Sequence, residues 1–399
     1  MDDALLHTIA ERYGTPTYVY DLGVVRRRLA ELRASFGDAT LLYAVKANPN
    51  GAVLRALAPL GVGAEVITLG ELERAARAGF VPASILVGGP GMDPRLVRRA
   101  ADLGIGLASL DSAGAWQAWR AVGTHATTRF LVRVNPGLDP ATHEHLATGA
   151  AGSKFGLPPD EALALAREVG ASGRLAGFHV HAGSMIRDAG VYDAIGEVLE
   201  PLYRALPGLD RLDLGGGFAV PGLALAPFAQ RAHALAERLH AELVLEPGRT
   251  LVAEAGTLLA RVLHVKRGGP APHLIADAGM ADLLRPALYG AEHPIRVIAT
   301  TVGPAGTSSG AHLEGRATDV DGPLCENADR LGRDRVLPGA STGSLLAVEQ
   351  AGAYGFAMAS NYASSLRPAE VVVDGVDVRL VRRRERPEDL WRLEDEAAG

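Results

Sequence analysis

Between residues 41 and 247 short apolar runs alternate with amphipathic stretches, eight times over. The candidate strands are 41–46, 64–67, 84–88, 105–109, 128–134, 174–181, 210–214 and 242–246. Candidate helices lie between them at 51–60, 70–79, 93–103, 112–121, 159–170, 189–206 and 226–240, and a further helix, 22–36, precedes the first strand. Asp93-Pro94 opens one of these with a capping residue followed by proline at the first helical position. Eight strands alternating with helices over about 200 residues fit a (β/α)8 TIM-type barrel. A doubly wound sheet is the alternative. It loses weight because no Gly-x-Gly-x-x-Gly follows the first strand.

After about residue 255 the pattern changes. Short β-rich runs, 257–265, 273–277, 294–301, 314–320, 344–349 and 369–380, are separated by Gly/Pro/Asp clusters. They read as an all-β domain, a sandwich or small barrel. The strand-like segment Thr15–Tyr20 precedes the barrel and can join that domain. The expected division is therefore 23–255 for the barrel and 1–22 with 256–399 for the β domain.

Composition narrows the partners. With 48% hydrophobic residues in 399, the chain can bury a substantial core. A net charge of -6 without a long basic run argues against nucleic acid. The cluster Arg382-Arg383-Arg384 has Glu385 and Glu388 beside it and reads as a solvated face. A single cysteine, Cys325, excludes an intrachain disulfide framework and fits a reducing compartment. The N-terminus begins with acids and has no long apolar core, so it reads as neither signal peptide nor membrane span. The expected location is the cytoplasm.

Catalytic residues of β/α barrels gather at the C-terminal ends of the strands. Here Lys46 ends the first strand and Glu65 lies in the second. Asn135 follows the fifth, and His179 and His181 close the sixth. Asp213 and Gly215-Gly216-Gly217 close the seventh, and Glu246-Pro247-Gly248-Arg249 closes the eighth. Taken alone, each has a structural reading. Lys46 suits a snorkelling lysine, the glycines a tight turn, Arg249 a rim salt bridge, His181 a satisfied core histidine and Ser184 a cap.

Their shared register at one mouth changes the weighting. Desolvation of Lys46 favours the neutral amine needed for Schiff-base chemistry. Glycine amides can approach an anion closely, and Arg249 can pair with phosphate or carboxylate. A carboxylate such as Glu246, at the end of a buried strand, needs a protonated partner, and a pyridinium nitrogen is one. His181 can lie flat on an aromatic ring. Together these parts suit pyridoxal 5′-phosphate. No metal is expected, because Cys325 is alone and His143 and His145 lie in a Gly/Thr-rich loop without further ligand spacing. A Ser-His-Asp hydrolase lacks its Gly-x-Ser-x-Gly elbow.

The chain resembles the alanine-racemase-like, fold-type III pyridoxal-phosphate decarboxylases, and among them most closely the diaminopimelate decarboxylases. The resemblance rests on YGTPTYVYD (13–21), YAVKAN (43–48), RVNPGLDPATHEHLATG (133–149), SKFG (153–156), HVHAGS (179–184), DLGGGF (213–218) and EPGR (246–249). It continues through DAGMADLLRPALYGAEHPI (277–295), the run Gly322–Asp329, AGAYGFAMASNY (351–362) and RPAEVVVDG (367–375). It implies that Lys46 carries the cofactor covalently, that His181 stacks on its ring and that Glu246 pairs with the ring nitrogen. Ser184, Gly216, Gly217 and Tyr354 are implied to hold the phosphate, with Arg249 near phosphate or substrate. Arg285 and Tyr289 match contacts to a substrate carboxylate. Cys325 matches the acid that protonates the carbon after carbon dioxide leaves, and Glu326 a contact to the far end of the substrate. A homodimer with composite active sites is also implied.

Most cofactor-holding matches are intact, and several departures from the family pattern fall near substrate-side motifs. The departures are Met185 after Gly-Ser, Glu292 before His293, Asn327 after Cys325-Glu326, and Gly343-Ser344 before a late strand. The expected activity is amino-acid decarboxylation, with meso-diaminopimelate as first candidate and another diamino, D-amino or carrier-tethered acid as alternative. A racemase on the same two-domain plan, and a non-enzymatic pyridoxal-phosphate-binding protein, are the competing readings. The Cys-Glu loop weighs against the first and the β domain against the second.

Overall fold

A computed structural model describes residues 1–123, 127–138, 153–267, 271–298 and 316–398. The chain divides into two compact units, Arg26–Leu251 and Met1–Val25 with Val252–Gly399. His143 and His145 lie outside the described residues, as do parts of the candidate runs 294–301 and 314–320.

The first unit is a closed barrel of eight parallel strands. They are Thr40–Ala44, Gly63–Val66, Ile85–Val87, Leu107–Leu110, Arg129–Arg133, Leu175–His179, Arg211–Asp213 and Glu242–Leu245. Closure sets Thr40 beside Val244 and Leu41 beside Leu245. Leu42, Leu86, Leu131, Ala176 and Val244 fill the interior, so the barrel is a packed core rather than a pore. The surrounding helices follow local signals. Thr68 Oγ1 accepts from the Glu71 N–H to start Leu69–Ala78, and Asp93 caps Pro94–Leu103, which turns Leu96, Val97 and Ala100 inward.

Seven of the eight strands end earlier than their apolar runs suggest; the fourth runs one residue further, to Leu110. The first stops at Ala44, whose N–H bonds to the Pro247 carbonyl, and Lys46 sits in a 3-10 turn, Val45–Ala47. The sixth stops at His179 and the eighth at Leu245, leaving His181 and Glu246 just beyond. Apolar continuity overreads a barrel strand because the first residues of the exit turn are buried as well: Val45, Ala47, Val180 and Ala182 all are.

Among the described residues the second unit contains a mixed sheet of nine strands. Thr17–Asp21 lies inside it, antiparallel to Gly256–Lys266 and parallel to Ala369–Asp374. The run 369–380 is a hairpin rather than one strand. Asp374 pairs with Asp377 across a two-residue turn that begins at Gly375. Arg330–Val336, absent from the sequence expectation, is an edge strand. Its arginines hide the alternation that marks a strand, and charge on an edge discourages pairing with another chain.

Helices accompany the sheet, so the unit is not made of strands alone. In Asp3–Tyr13, Asp2 caps the first turn, and Leu6, Ile9 and Ala10 pack with Val19, Leu259, Leu345 and Val371. A second helix, Pro387–Ala398, closes the chain. No helix among the described residues is long and apolar enough to cross a membrane.

Candidate active site

The C-terminal mouth of the barrel collects the polar residues that follow its strands. Lys46 Nζ lies 2.6 Å from Glu65 Oε2; the lysine side chain is one-third exposed and the glutamate is buried. The amine is therefore held by a carboxylate, not left as the bare desolvated base that its place beside a buried strand suggests.

The exits of the seventh and eighth strands hold a buried acid pair, Asp213 and Glu246. Asp213 Oδ1 accepts from the Gly215 N–H at 2.8 Å, while Asp213 Oδ2 and Glu246 Oε1 find no hydrogen-bond partner among the described residues. Burial raises both acids, Asp213 to about 7 and Glu246 well above the usual carboxylate range, where the neighbouring Asp213 charge pushes it further. His179 Nδ1 pairs with Ser109 Oγ at 2.7 Å, and its Nε2 faces Glu246 Oε1 at 3.8 Å. Burial, aided by the Arg133 charge, holds His179 neutral by lowering it well below the ordinary imidazole range. Arg133 is itself buried against Asp111 at 3.0 Å.

His181 lies just past the sixth strand, against the glycine turn. Its Nδ1 accepts the Gly216 N–H at 3.2 Å, which leaves the proton of the neutral ring on Nε2. Burial first, then the Arg133 and Lys46 charges, lower it to about 3, so the ring is an uncharged flat surface.

The glycine turn forms a cradle with no room for side chains. A Cβ on Gly215 would meet His181 Nδ1 at 2.3 Å, one on Gly216 the Glu246 carbonyl at 2.3 Å, and one on Gly217 the Gly183 carbonyl at 2.2 Å. Gly217 also holds φ +90, a left-handed value that side chains disfavour. Arg249 Nη2 reaches Ser184 Oγ at 3.4 Å beside this turn.

Pyridoxal phosphate fits these residues. The amine, the buried carboxyl oxygen, the flat imidazole and the close-packed glycine turn are of the kinds that suit its aldehyde, ring nitrogen, ring face and phosphate.

The remaining predicted residues, Arg285, Tyr289, Cys325, Glu326 and Tyr354, belong to the sheet unit. Arg285 opens a short helix, Arg285–Tyr289, and its Nη1 donates to His293 Nε2 at 3.0 Å. The buried His293 in turn donates from Nδ1 to the Glu349 carbonyl at 3.0 Å. Tyr289, Cys325 and Glu326 are exposed. Tyr354 holds φ +56, strained backbone for a tyrosine. Sequence reasoning missed Ser109, Asp111, Arg133 and His293. Asp111 and Arg133 did carry a signal, since both sit at barrel strand ends like the residues it found.

In the sheet unit His273, Asp319 and Asp321 bring imidazole and carboxylate atoms within 4.8 Å of one another. Arg330 already supplies their cation, pairing with Asp321 at 2.6 Å and Asp319 at 3.1 Å.

Comparison with known proteins agrees with the barrel site. Residues 22–260 match the family model for the pyridoxal-dependent decarboxylase, pyridoxal binding domain. Fold and site thus define a pyridoxal-phosphate enzyme. The diaminopimelate decarboxylase of Deinococcus radiodurans is 41% identical over 390 residues, covering 98% of each chain. That of Pseudomonas aeruginosa is 38% identical over 409 residues, covering 97% of this chain and 94% of its own. The crystal structure of the Helicobacter pylori diaminopimelate decarboxylase complexed with L-lysine aligns with a TM-score of 0.88 at 32% identity, covering 98% of this chain and all of that one. The chain belongs to the diaminopimelate decarboxylase family of pyridoxal-phosphate-dependent carboxy-lyases.

Proposed function

We propose that the substrate is meso-diaminopimelate and that the products are L-lysine and carbon dioxide, placing the enzyme in lysine biosynthesis in the cytoplasm. What supports this most is that the barrel exits carry Lys46, Glu246 and the Gly215-Gly216-Gly217 turn, and that the same chain carries Arg285 and Cys325-Glu326. When bound, the cofactor supplies an electron sink for the pair released as the carbon–carboxyl bond breaks.

The chain's own residues supply the rest. Lys46 is the covalent attachment point, kept in place beforehand by Glu65. Glu246 holds the ring nitrogen protonated, and Asp213 beside it stabilises the acid's proton while the site is empty. His181 covers one ring face without adding charge. Ser184, Gly216, Gly217, Arg249 and Tyr354 hold the phosphate. The substrate has two amino-acid ends, and only one loses its carboxylate. Arg285 and Tyr289 bind the retained carboxylate, with Arg249 close to phosphate and substrate, and Glu326 binds the retained ammonium. Cys325 Sγ–H delivers a proton to the carbon that has lost carbon dioxide.

The acting form is a homodimer with composite sites. The exposed apolar side chains Leu288, Tyr289 and Tyr362 of the sheet unit support a partner there. Mixing Lys46→Ala with Cys325→Ala protein should restore activity toward about a quarter of normal if one site takes these residues from two chains. No recovery on mixing would argue for sites built within one chain.

A second reading, another diamino acid or a tethered one, is favoured by the departures Met185, Glu292 and Asn327. Carbon dioxide release from meso-diaminopimelate, lysine, ornithine, arginine and glutamate derivatives decides between them. Release from any of these in preference to meso-diaminopimelate overturns the first reading.

A further inference from the structure

We infer that Asp329 is the positioning residue of the proton-donating loop, and that it ties this loop to the segment leading into the Arg285 helix. The inference rests on the proposed role of Cys325 and names what holds that thiol in place. Asp329 is 2% exposed. Its Oδ2 accepts the Leu324 N–H at 2.6 Å, and its Oδ1 accepts the Met280 N–H at 2.6 Å. Its own N–H donates to the Glu326 carbonyl at 3.0 Å, and its carbonyl accepts the Gly322 N–H at 2.8 Å.

Cys325 is therefore bracketed on both sides. The amide before it and the carbonyl after it are both bound by one residue. The carboxylate is also wedged. A Cβ on Gly279 would lie 2.0 Å from Oδ1, and one on Gly322 would lie 2.3 Å from both oxygens. Two donors on separate oxygens need an acceptor at both ends of the side chain. Asparagine has one acceptor, so its amide must face an N–H on one side and release either Leu324 or Met280.

The test exploits the product. Decarboxylation in deuterium oxide leaves a CHD centre at the carbon that lost carbon dioxide. A positioned acid sets one configuration there, and NMR reads it. The wild-type enzyme should give one configuration. Asp329→Asn should give a mixture, with kcat down about tenfold or more because the donor is misplaced. Gly279→Ala keeps the carboxylate and displaces it, so it should scramble the label too, and it serves if Asp329→Asn does not fold. A merely structural role would reduce the amount of active enzyme without mixing the label.

Cys325→Ala separates the two claims. If it scrambles the label while Asp329→Asn and Gly279→Ala keep a single configuration, the inference is overturned. If Cys325→Ala itself keeps the configuration and rate, the acid assignment fails. Asp329 is then judged by hydrogen exchange: faster exchange at Leu324 or Met280 in Asp329→Asn supports its hold on the loop, and unchanged exchange at both overturns it.

Discussion

Replacing Glu246 by glutamine should weaken catalysis and yet stabilise the cofactor-free protein at alkaline pH. Glu246 is buried, one of its oxygens lacks a partner, and Asp213 lies beside it. Burial raises its pKa, so the folded protein keeps a proton there that the unfolded chain has already released. Folded protein then binds more protons than unfolded, and stability must fall as pH rises from the ordinary carboxylate range upward. One excess proton corresponds to about 1.4 kcal/mol per pH unit. Glutamine is neutral throughout and can still donate to Asp213.

As pH rises above the ordinary carboxylate range the variant should therefore gain on the wild type, by at most about 1.4 kcal/mol per pH unit. Urea unfolding of both proteins, stripped of cofactor, measures this at each pH. With cofactor bound, the variant cannot balance a protonated ring nitrogen, and kcat should fall by about a hundredfold or more. Parallel stability–pH curves for the two proteins would refute the electrostatic argument. Unchanged turnover would refute the ring-nitrogen assignment.

Gly217→Ala adds a side chain at φ +90 with its Cβ 2.2 Å from the Gly183 carbonyl; strain of about 2 kcal/mol should raise the cofactor dissociation constant some thirtyfold, read by fluorescence titration. Asp282 is pushed up to about 7 by burial and then by the Asp277 and Asp329 charges, so it favours the fold at low pH and this contribution fades as pH climbs from about 4 to 7. Asp282→Asn should flatten that slope in urea unfolding at pH 5 and 8, and an unaltered slope would disprove the assignment. Leu6→Ala, which empties a fully buried position of the first helix, should cost about 2–4 kcal/mol by denaturant unfolding; a loss under about 1 kcal/mol would mean the helix adds little to the sheet unit's core.

The barrel was legible because each of its strands is a short apolar run with an amphipathic helix behind it, a local pattern that survives without knowledge of partners. Lys46, His181, Glu246 and the glycine triplet were legible for the same reason, since strand order puts every strand's exit at one mouth. The edge strand Arg330–Val336 was not, because an edge shows its charged face to water and loses the alternation. The helix Asp3–Tyr13 was missed because its apolar spacing gains meaning only from the sheet it packs against.

By itself, then, the sequence determined the succession of strands and helices and the chemical inventory of the barrel mouth. Both are encoded in residues close along the chain. Tertiary structure alone decided the ionic state of that inventory. Glu65 reaches Lys46 across 19 positions, Arg133 and Asp111 come together across 22, and Asp213 and Glu246 become a proton-holding pair only when neighbouring strands exclude water from both. Charge interactions and burial depend on distance through space, which the order of residues does not state. The same holds for Asp329, whose place in the run Gly322–Asp329 was legible but whose grip on both sides of Cys325 was not.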